Sequence, residues 1–331
     1  MVAVLAVTTA CTPAPGETDA GAPTPDGHRE VVLDLGAADV VDLRPVTVQA
    51  APGDVVVLRS GNPGRGPDDE SPVHHLFTSA PEGTPPPLFI PAGGGLAPNP
   101  GVWGVCRGGE AANATSGCPV PPIEGPRHYD GRSYFSLGAL LPGEQRELPL
   151  SEDLEPGTYR FTCAVHPHLH VDVEVVEDPA PASPRPPLEA AEAKGQARGL
   201  AAAHAEHRAV DETVVLLAPQ PENPPAEVLQ AVPAEVHVAV GGTVVWRNPS
   251  RAPHTVELGI NEAPHLTHTA PADTVPIVPA DGRWDGEGRV QSGILSTGVG
   301  RTELRLTFTR PGLYVAYDRF APSVTTQVRV G

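Results

Sequence analysis

Cys163 stands three residues ahead of His166 in the stretch TCAVHPHLHVDVEVV, and His168 and His170 follow at alternate positions. A thiolate joined by two imidazoles in a trigonal array is a soft donor set suited to copper, often with a weak axial thioether. Cys163 and His166 fall on one short turn. Ahead of that turn Tyr159 and Phe161 alternate with Arg160 and Thr162, the pattern of a half-buried strand. Pro167 interrupts pairing, and VDVEVV resumes the alternation, so the segment reads as strand, ligand loop, strand. A buried structural cysteine beside surface histidines has the same C-x-x-H spacing. A second imidazole from elsewhere is needed to separate the two.

The segment APGDVVVLRSGNPGRGPDDESPVHHLFTSA offers one. It reads as a strand over Val55–Arg59, a polar turn, and a second strand bearing His74 and His75. The two-residue period of a strand sets His75 with Phe77 on one face and His74 with Leu76 on the other. With Phe77 turned to the core, His75 points inward and is the better ligand.

Together, GDVVVLRSGN…HHLFTS and PGTYRFTCAVHPHLHVDVEV resemble the plastocyanin/azurin type of cupredoxin. In that family a histidine after an early strand joins a C-x-x-H-x-x-M loop near the end. The resemblance implies an antiparallel β-sandwich with one type 1 (blue) copper at one end, held by His75, Cys163 and His166. It also implies electron transfer with a redox partner protein such as a cytochrome or respiratory component. One position departs from the pattern, because Leu169 stands where the family has its axial methionine. Leucine has no lone pair, so a three-coordinate site is expected, with His168, His170 or His74 as candidate extra donors. Loss of an axial donor disfavours Cu(II) relative to Cu(I), so a high reduction potential is expected as well.

The chain has 331 residues, room for two domains. Pro 42 and Gly 35 make up close to a quarter of it, which suits many turns between short strands. A net charge of −18 argues against nucleic acid, which needs basic patches. That charge is compatible with steering toward a basic partner.

The N-terminus, MVAVLAVTTACTPAPGETDAGAPTPDG, has a short apolar run, then Cys11, then a Pro-rich polar tether. It resembles the end of a lipoprotein export signal, with TTAC as an imperfect lipobox and no basic n-region. Export to the periplasm or cell surface is expected, with Cys11 the lipidation candidate and a lipid the only membrane attachment. Cys106 and Cys118 lie in CRGGEAANATSGC, and in an oxidising compartment they are expected to bridge. The stretch 80–132 around them exceeds what a compact sandwich needs and reads as a Pro- and Gly-rich insertion able to cover the metal or bind a partner. Asn113 heads an N-x-T sequon, read as chance.

Past the Pro-rich DPAPASPRPP, the Ala-rich LEAAEAKGQARGLAAAHAEHRAV predicts a helix, on which His204 and His207 read as a solvated face. ETVVLLAP returns to strand. AEVHVAVGGTVVWRNPSRAPHTVELG then echoes the segment around Gly53–Asn62, and His254 with Val256 repeats His75 with Phe77. RPGLYVAYDRFAPSVTTQVRV echoes EPGTYRFTCAVHPHLHVDVEV. Aligned on Pro-Gly-x-Tyr, Asp318, Ala321 and Val324 replace the cysteine, the histidine and the axial position. His254, His265 and His268 with Asp318 form only a weak hard-ion set, and the second copy reads as metal-free.

The expected fold is all-β, with two cupredoxin-like Greek-key β-sandwich domains and a helical, Pro-rich connector. Residues 1–29 form the leader and tether, 30–177 the first domain, 178–212 the linker and 213–331 the second domain. No enzyme is expected. Two-domain copper nitrite reductases and oxidases couple their sites through a histidine beside the copper cysteine, whereas Thr162 and Ala164 flank Cys163 here. The alternative is a surface copper-binding or interaction module without redox turnover.

Overall fold

The computed structural model describes residues 30–34, 40–42, 46–59, 75–81, 86–92, 94–103, 128–140, 145–179, 188–222, 226–260, 274–321 and 323–331. Cys11, His74, Cys106, Asn113, Cys118, His265 and His268 lie outside them. No helix among the described residues is long and apolar enough to cross a membrane.

The alternating valines do what their period requires. In the strand His170–Val175, Val171, Val173 and Val175 are buried while His170, Asp172 and Glu174 face outward. This strand pairs with Val46–Ala50 in parallel and with Gly157–Cys163 antiparallel. The sheet continues through His75–Ser79 to Phe135–Leu140. Opposing it are Glu30–Asp34, Val55–Arg59 and Gln145–Pro149. Val56, Leu58 and Leu148 of this sheet share a core with Val171, Val173 and Phe161 of the other. The Tyr129 ring sits 4.7 Å from that of Phe161, edge to face.

The sequence echo reappears as an echo of pairing. Val214–Leu217 runs parallel to Thr243–Arg247, which pairs antiparallel with Glu303–Phe308. Glu30–Asp34, Val55–Arg59 and Gln145–Pro149 do the same. Glu235–Val238, Thr326–Val330 and Gly312–Ala316 likewise repeat Val46–Ala50, His170–Val175 and Gly157–Cys163. Even the entry turns match, with Gly53 at φ 84° and Gly241 at φ 87°, a backbone region that strains a side chain. A helix, Leu188–Arg208, lies between the two sandwiches in sequence. On it His204 is exposed, as a solvated face requires, whereas His207 is half-buried with its Nε2 2.9 Å from the Val214 carbonyl oxygen.

Strand pairing and a hairpin both tie the sandwiches together. The strand Ala226–Val228 pairs antiparallel with Val40–Asp42, placing Glu227 opposite Val41. Within 80–132, read from the sequence as a Pro- and Gly-rich insertion, Phe89–Ala92 and Gly95–Pro98 form a hairpin, followed by a helical turn, Pro100–Trp103. FIPA and GLAP are too short for their periodicity to register, and the tight reversal at Gly94, φ 85°, is what pairs them. The hairpin reaches the second sandwich. Leu96 N–H donates to Thr274 Oγ1 at 2.7 Å, Thr274 Oγ1 donates back to the Leu96 carbonyl at 3.1 Å, and the Phe89 and Phe320 rings lie 6.1 Å apart.

Candidate metal centre

Cys163 ends one strand, and His170 begins its antiparallel neighbour. The loop between them is closed by two hydrogen bonds, Leu169 N–H to the His166 carbonyl and Cys163 N–H to the Leu169 carbonyl, each 2.9 Å. These bonds turn the His166 side chain back toward Cys163, with Pro167 exposed at the tip. His75 arrives from the adjacent strand, where Cys163 pairs with Phe77. Ala164 N–H donates to the Leu76 carbonyl at 2.7 Å and ties the loop to that strand.

The structure therefore brings His75, Cys163 and His166 together. All three are buried, and one donor atom from each lies within 4.8 Å of the others. His166 Nδ1 is 3.3 Å from Cys163 Sγ, and Leu76 N–H donates to the sulfur at 3.4 Å. Both ring nitrogens of His75 are buried without a hydrogen-bond partner among the described residues. A buried polar atom left unpaired costs about 1–3 kcal/mol, and a bound metal relieves that cost.

Electrostatics favour the ligating form. Burial alone pushes the Cys163 thiol up, but the imidazoles of His166 and, less strongly, His75 more than offset it and bring the thiol down to about 5. Burial pushes His166 down, and it is outweighed by the Glu227 carboxylate and the Cys163 thiolate, which lift it to about 10. In the metal-free protein these groups form a thiolate–imidazolium–carboxylate row. The folded thiol lies below its unfolded value of about 8.5. It therefore contributes stability that is fully present above that value and lost as pH falls through about 5. His166, raised, contributes below about 6.5 and loses that contribution as pH rises through about 10. Ultraviolet absorption of the thiolate in metal-free protein is expected to titrate with a midpoint of about 5, and His166→Gln to move it upward. A wild-type midpoint at the ordinary thiol value of about 8.5 would contradict this arrangement.

The donor set fits copper. Thiolate and imidazole are soft to borderline ligands, and zinc would ask for a fourth ligand in a tetrahedron. Leu169, 3% exposed, offers none. Of the candidate extra donors, His168 and His170 are not recruited, and His74 lies outside the described residues. Leu169 turns inward, so its neighbours His168 and His170 turn outward and are only half-buried, and His170 Nε2 lies 3.6 Å from Asp172 Oδ2.

In the second copy Thr255 N–H donates to Asp318 Oδ1 at 2.8 Å, where Leu76 N–H meets Cys163 Sγ in the first. Val324 N–H bonds the Ala321 carbonyl at 2.8 Å, as Leu169 bonds His166. The loop is preserved, but its ligand position is closed. Asp318 Oδ2 accepts a very short hydrogen bond from His254 Nδ1, while Oδ1 also takes Thr255 Oγ1 and Phe320 N–H. Burial pushes His254 down, and the adjoining Asp318 carboxylate more than restores it, leaving it raised.

Sequence reading missed Glu227. Its Oε2 makes a very short contact with His166 Nε2, with side-chain exposures of 2% and 4%. Burial pushes this carboxyl up, and the His166 cation outweighs burial and holds it below the ordinary range. A single acid in PPAEVLQAV gives no periodic signal. It reaches His166 across the contact between the two sandwiches, from a strand that pairs with Val40–Asp42.

No protein-family model and no curated protein matches the sequence. Among solved structures, a mutant of amicyanin in its Cu(I) form is 22% identical, covering 36% of this chain and 80% of that one, with a TM-score of 0.23. The oxidized form of another amicyanin mutant is 23% identical over 37% of this chain and 86% of that one, again with a TM-score of 0.23. The likeness to cupredoxins is loose at this score, and the chemistry of the site rests on its own residues.

Proposed function

We propose that this chain is an exported blue-copper protein that carries single electrons. In this reading it is a tandem of plastocyanin/azurin-type cupredoxins, with one type 1 copper in the first copy and none in the degenerate second. The observation that carries it is the buried cluster of His75, Cys163 and His166, in which the Cys163 thiol is brought down to about 5 and both ring nitrogens of His75 lack a hydrogen-bond partner among the described residues. Copper, when bound, supplies a one-electron couple. The chain's own residues hold the donors on two hydrogen-bonded strands and one closed loop, so little has to move between oxidation states.

Thr162 and Ala164 beside Cys163 leave no histidine bridge to a second metal, so a reductase or oxidase activity is not proposed. The acidic chain suits a redox partner with a basic docking face, such as a cytochrome or respiratory component. Export, lipidation at Cys11 and a Cys106–Cys118 bridge complete the proposal.

A second reading is a copper-binding or interaction module without redox turnover. It is favoured by the burial of His166, whose outer edge meets Glu227 rather than solvent. Metal analysis and a visible spectrum of protein produced with copper test the first reading, and an intense blue band is the expected result. Colourless protein, or a green tetragonal copper spectrum, would sink it. Electron exchange with a cytochrome on a millisecond scale then separates carrier from module.

A further inference from the structure

His166 has two ring nitrogens with different neighbours. Nδ1 faces Cys163 Sγ at 3.3 Å, and Nε2 meets Glu227 Oε2. The carboxylate belongs to a strand of the second half, tied by its backbone to Val40–Asp42. Its other oxygen, Oε1, accepts from Gln220 Nε2 at 3.0 Å and lies 4.0 Å from His254 Nε2. His254 is held at its far nitrogen by Asp318. Imidazole and carboxylate thus alternate from the first sandwich into the second, through His166, Glu227, His254 and Asp318. A cavity of about 40 Å³ adjoins the first three, room for an ordered water beside the otherwise unpartnered His254 Nε2.

We propose that Glu227 is the positioning residue of the copper centre, accepting the Nε2–H of His166 so that Nδ1 is the ligating atom and a fixed negative charge stands behind that ligand. The assignment rests on the copper reading above. A metal-bound histidine whose other N–H is held by a carboxylate has its tautomer and ring orientation fixed and its basicity raised. Here the carboxylate comes from the other sandwich, so the centre is complete only when the two are docked. The anion favours Cu(II) over Cu(I), opposing the loss of an axial donor at Leu169. It also gives the surviving histidine of the second copy a use: His254, pinned by Asp318, flanks the carboxylate instead of binding metal.

The test compares the full-length copper-loaded wild type with Glu227→Gln and Glu227→Ala. Glutamine keeps an oxygen for His166 Nε2–H and loses the charge. It should keep the blue spectrum while the ratio of Cu(I) to Cu(II) affinity rises at least about 10-fold, about 59 mV for a one-electron couple. Alanine loses the hydrogen bond as well and should weaken copper about 10- to 100-fold with an altered spectrum. In metal-free protein, proton NMR should show a far-downfield, slowly exchanging His166 Nε2–H that disappears in the alanine variant. Its absence from wild type would overturn the assignment with or without copper. Copper uptake with an unchanged potential in Glu227→Gln would overturn the role of Glu227 alone, whereas failure of the wild type to take up copper would overturn the proposed function.

Discussion

Cys163→Ser is expected to abolish the intense visible band of the copper-loaded protein and to weaken copper by more than about 100-fold, beyond the usual cost of losing an outer partner. The band needs a thiolate-to-metal charge transfer, and Cys163 is the buried cysteine of the cluster. Its thiol is already brought down to about 5 by the neighbouring imidazoles, whereas a serine hydroxyl in the same place stays protonated and is a poor soft-metal ligand. Folding should survive the change. The substitution is nearly isosteric, and a hydroxyl oxygen still accepts the Leu76 N–H that now reaches the sulfur at 3.4 Å. Absorption spectroscopy and competition with a copper chelator measure the two effects, with circular dichroism as the folding check. Undiminished blue colour in this variant would place the site elsewhere.

The grouping of His75, Cys163 and His166 was legible in the sequence because its determinants are local. Three-residue spacing puts Cys163 and His166 on one loop, and strand period sets His75 on the face of Phe77, whose ring stacks on it at 5.9 Å. The strand Val55–Arg59 and the helix Leu188–Arg208 were legible for the same reason, and so was the strand repeat, since Pro-Gly-x-Tyr and the glycine turns mark equivalent points in both copies. Alternation failed in the strand His75–Ser79, where every residue is buried. Leu76 and Phe77 lie on opposite faces, and both faces are covered. The hairpin Phe89–Pro98 was missed because each arm has four residues, too few for a period to show.

Glu227 was not legible for a deeper reason. Its partner stands 61 positions earlier, and the two meet only in the folded contact between the sandwiches. No local pattern encodes that contact. A buried acid among apolar neighbours is a signal only once its burial is known, since a carboxylate without a partner there would be strongly unfavourable. The same row sets His254 between Asp318, which accepts from its Nδ1, and Glu227, whose Oε1 lies 4.0 Å from its Nε2. Asp318 needs a buried cation-forming partner, and Glu227 gains a second imidazole near its Oε1.

The copper-loaded chain is therefore expected to carry one copper and not two. A count of strand-borne histidines alone, His75 and His254, would suggest a pair of sites. The loop of the second copy decides otherwise. Ala321 and Val324 have no donor atom, and both oxygens of Asp318 are occupied, Oδ2 by His254 and Oδ1 by Thr255 and Phe320. A metal there would have to break a very short hydrogen bond and strip a saturated carboxylate, with a single imidazole nitrogen as its reward. The triple variant His75→Phe, Cys163→Ser, His166→Gln should then fold and hold no copper tightly. Glutamine is the choice at 166 because its amide still donates to Glu227, while alanine would strand a buried carboxylate at about 3–5 kcal/mol. Copper per chain, measured by elemental analysis after dialysis, should fall from one to none. A stoichiometric ion that persists in the triple variant, and leaves only when His254 is also changed to alanine, would show that the second sandwich binds metal after all.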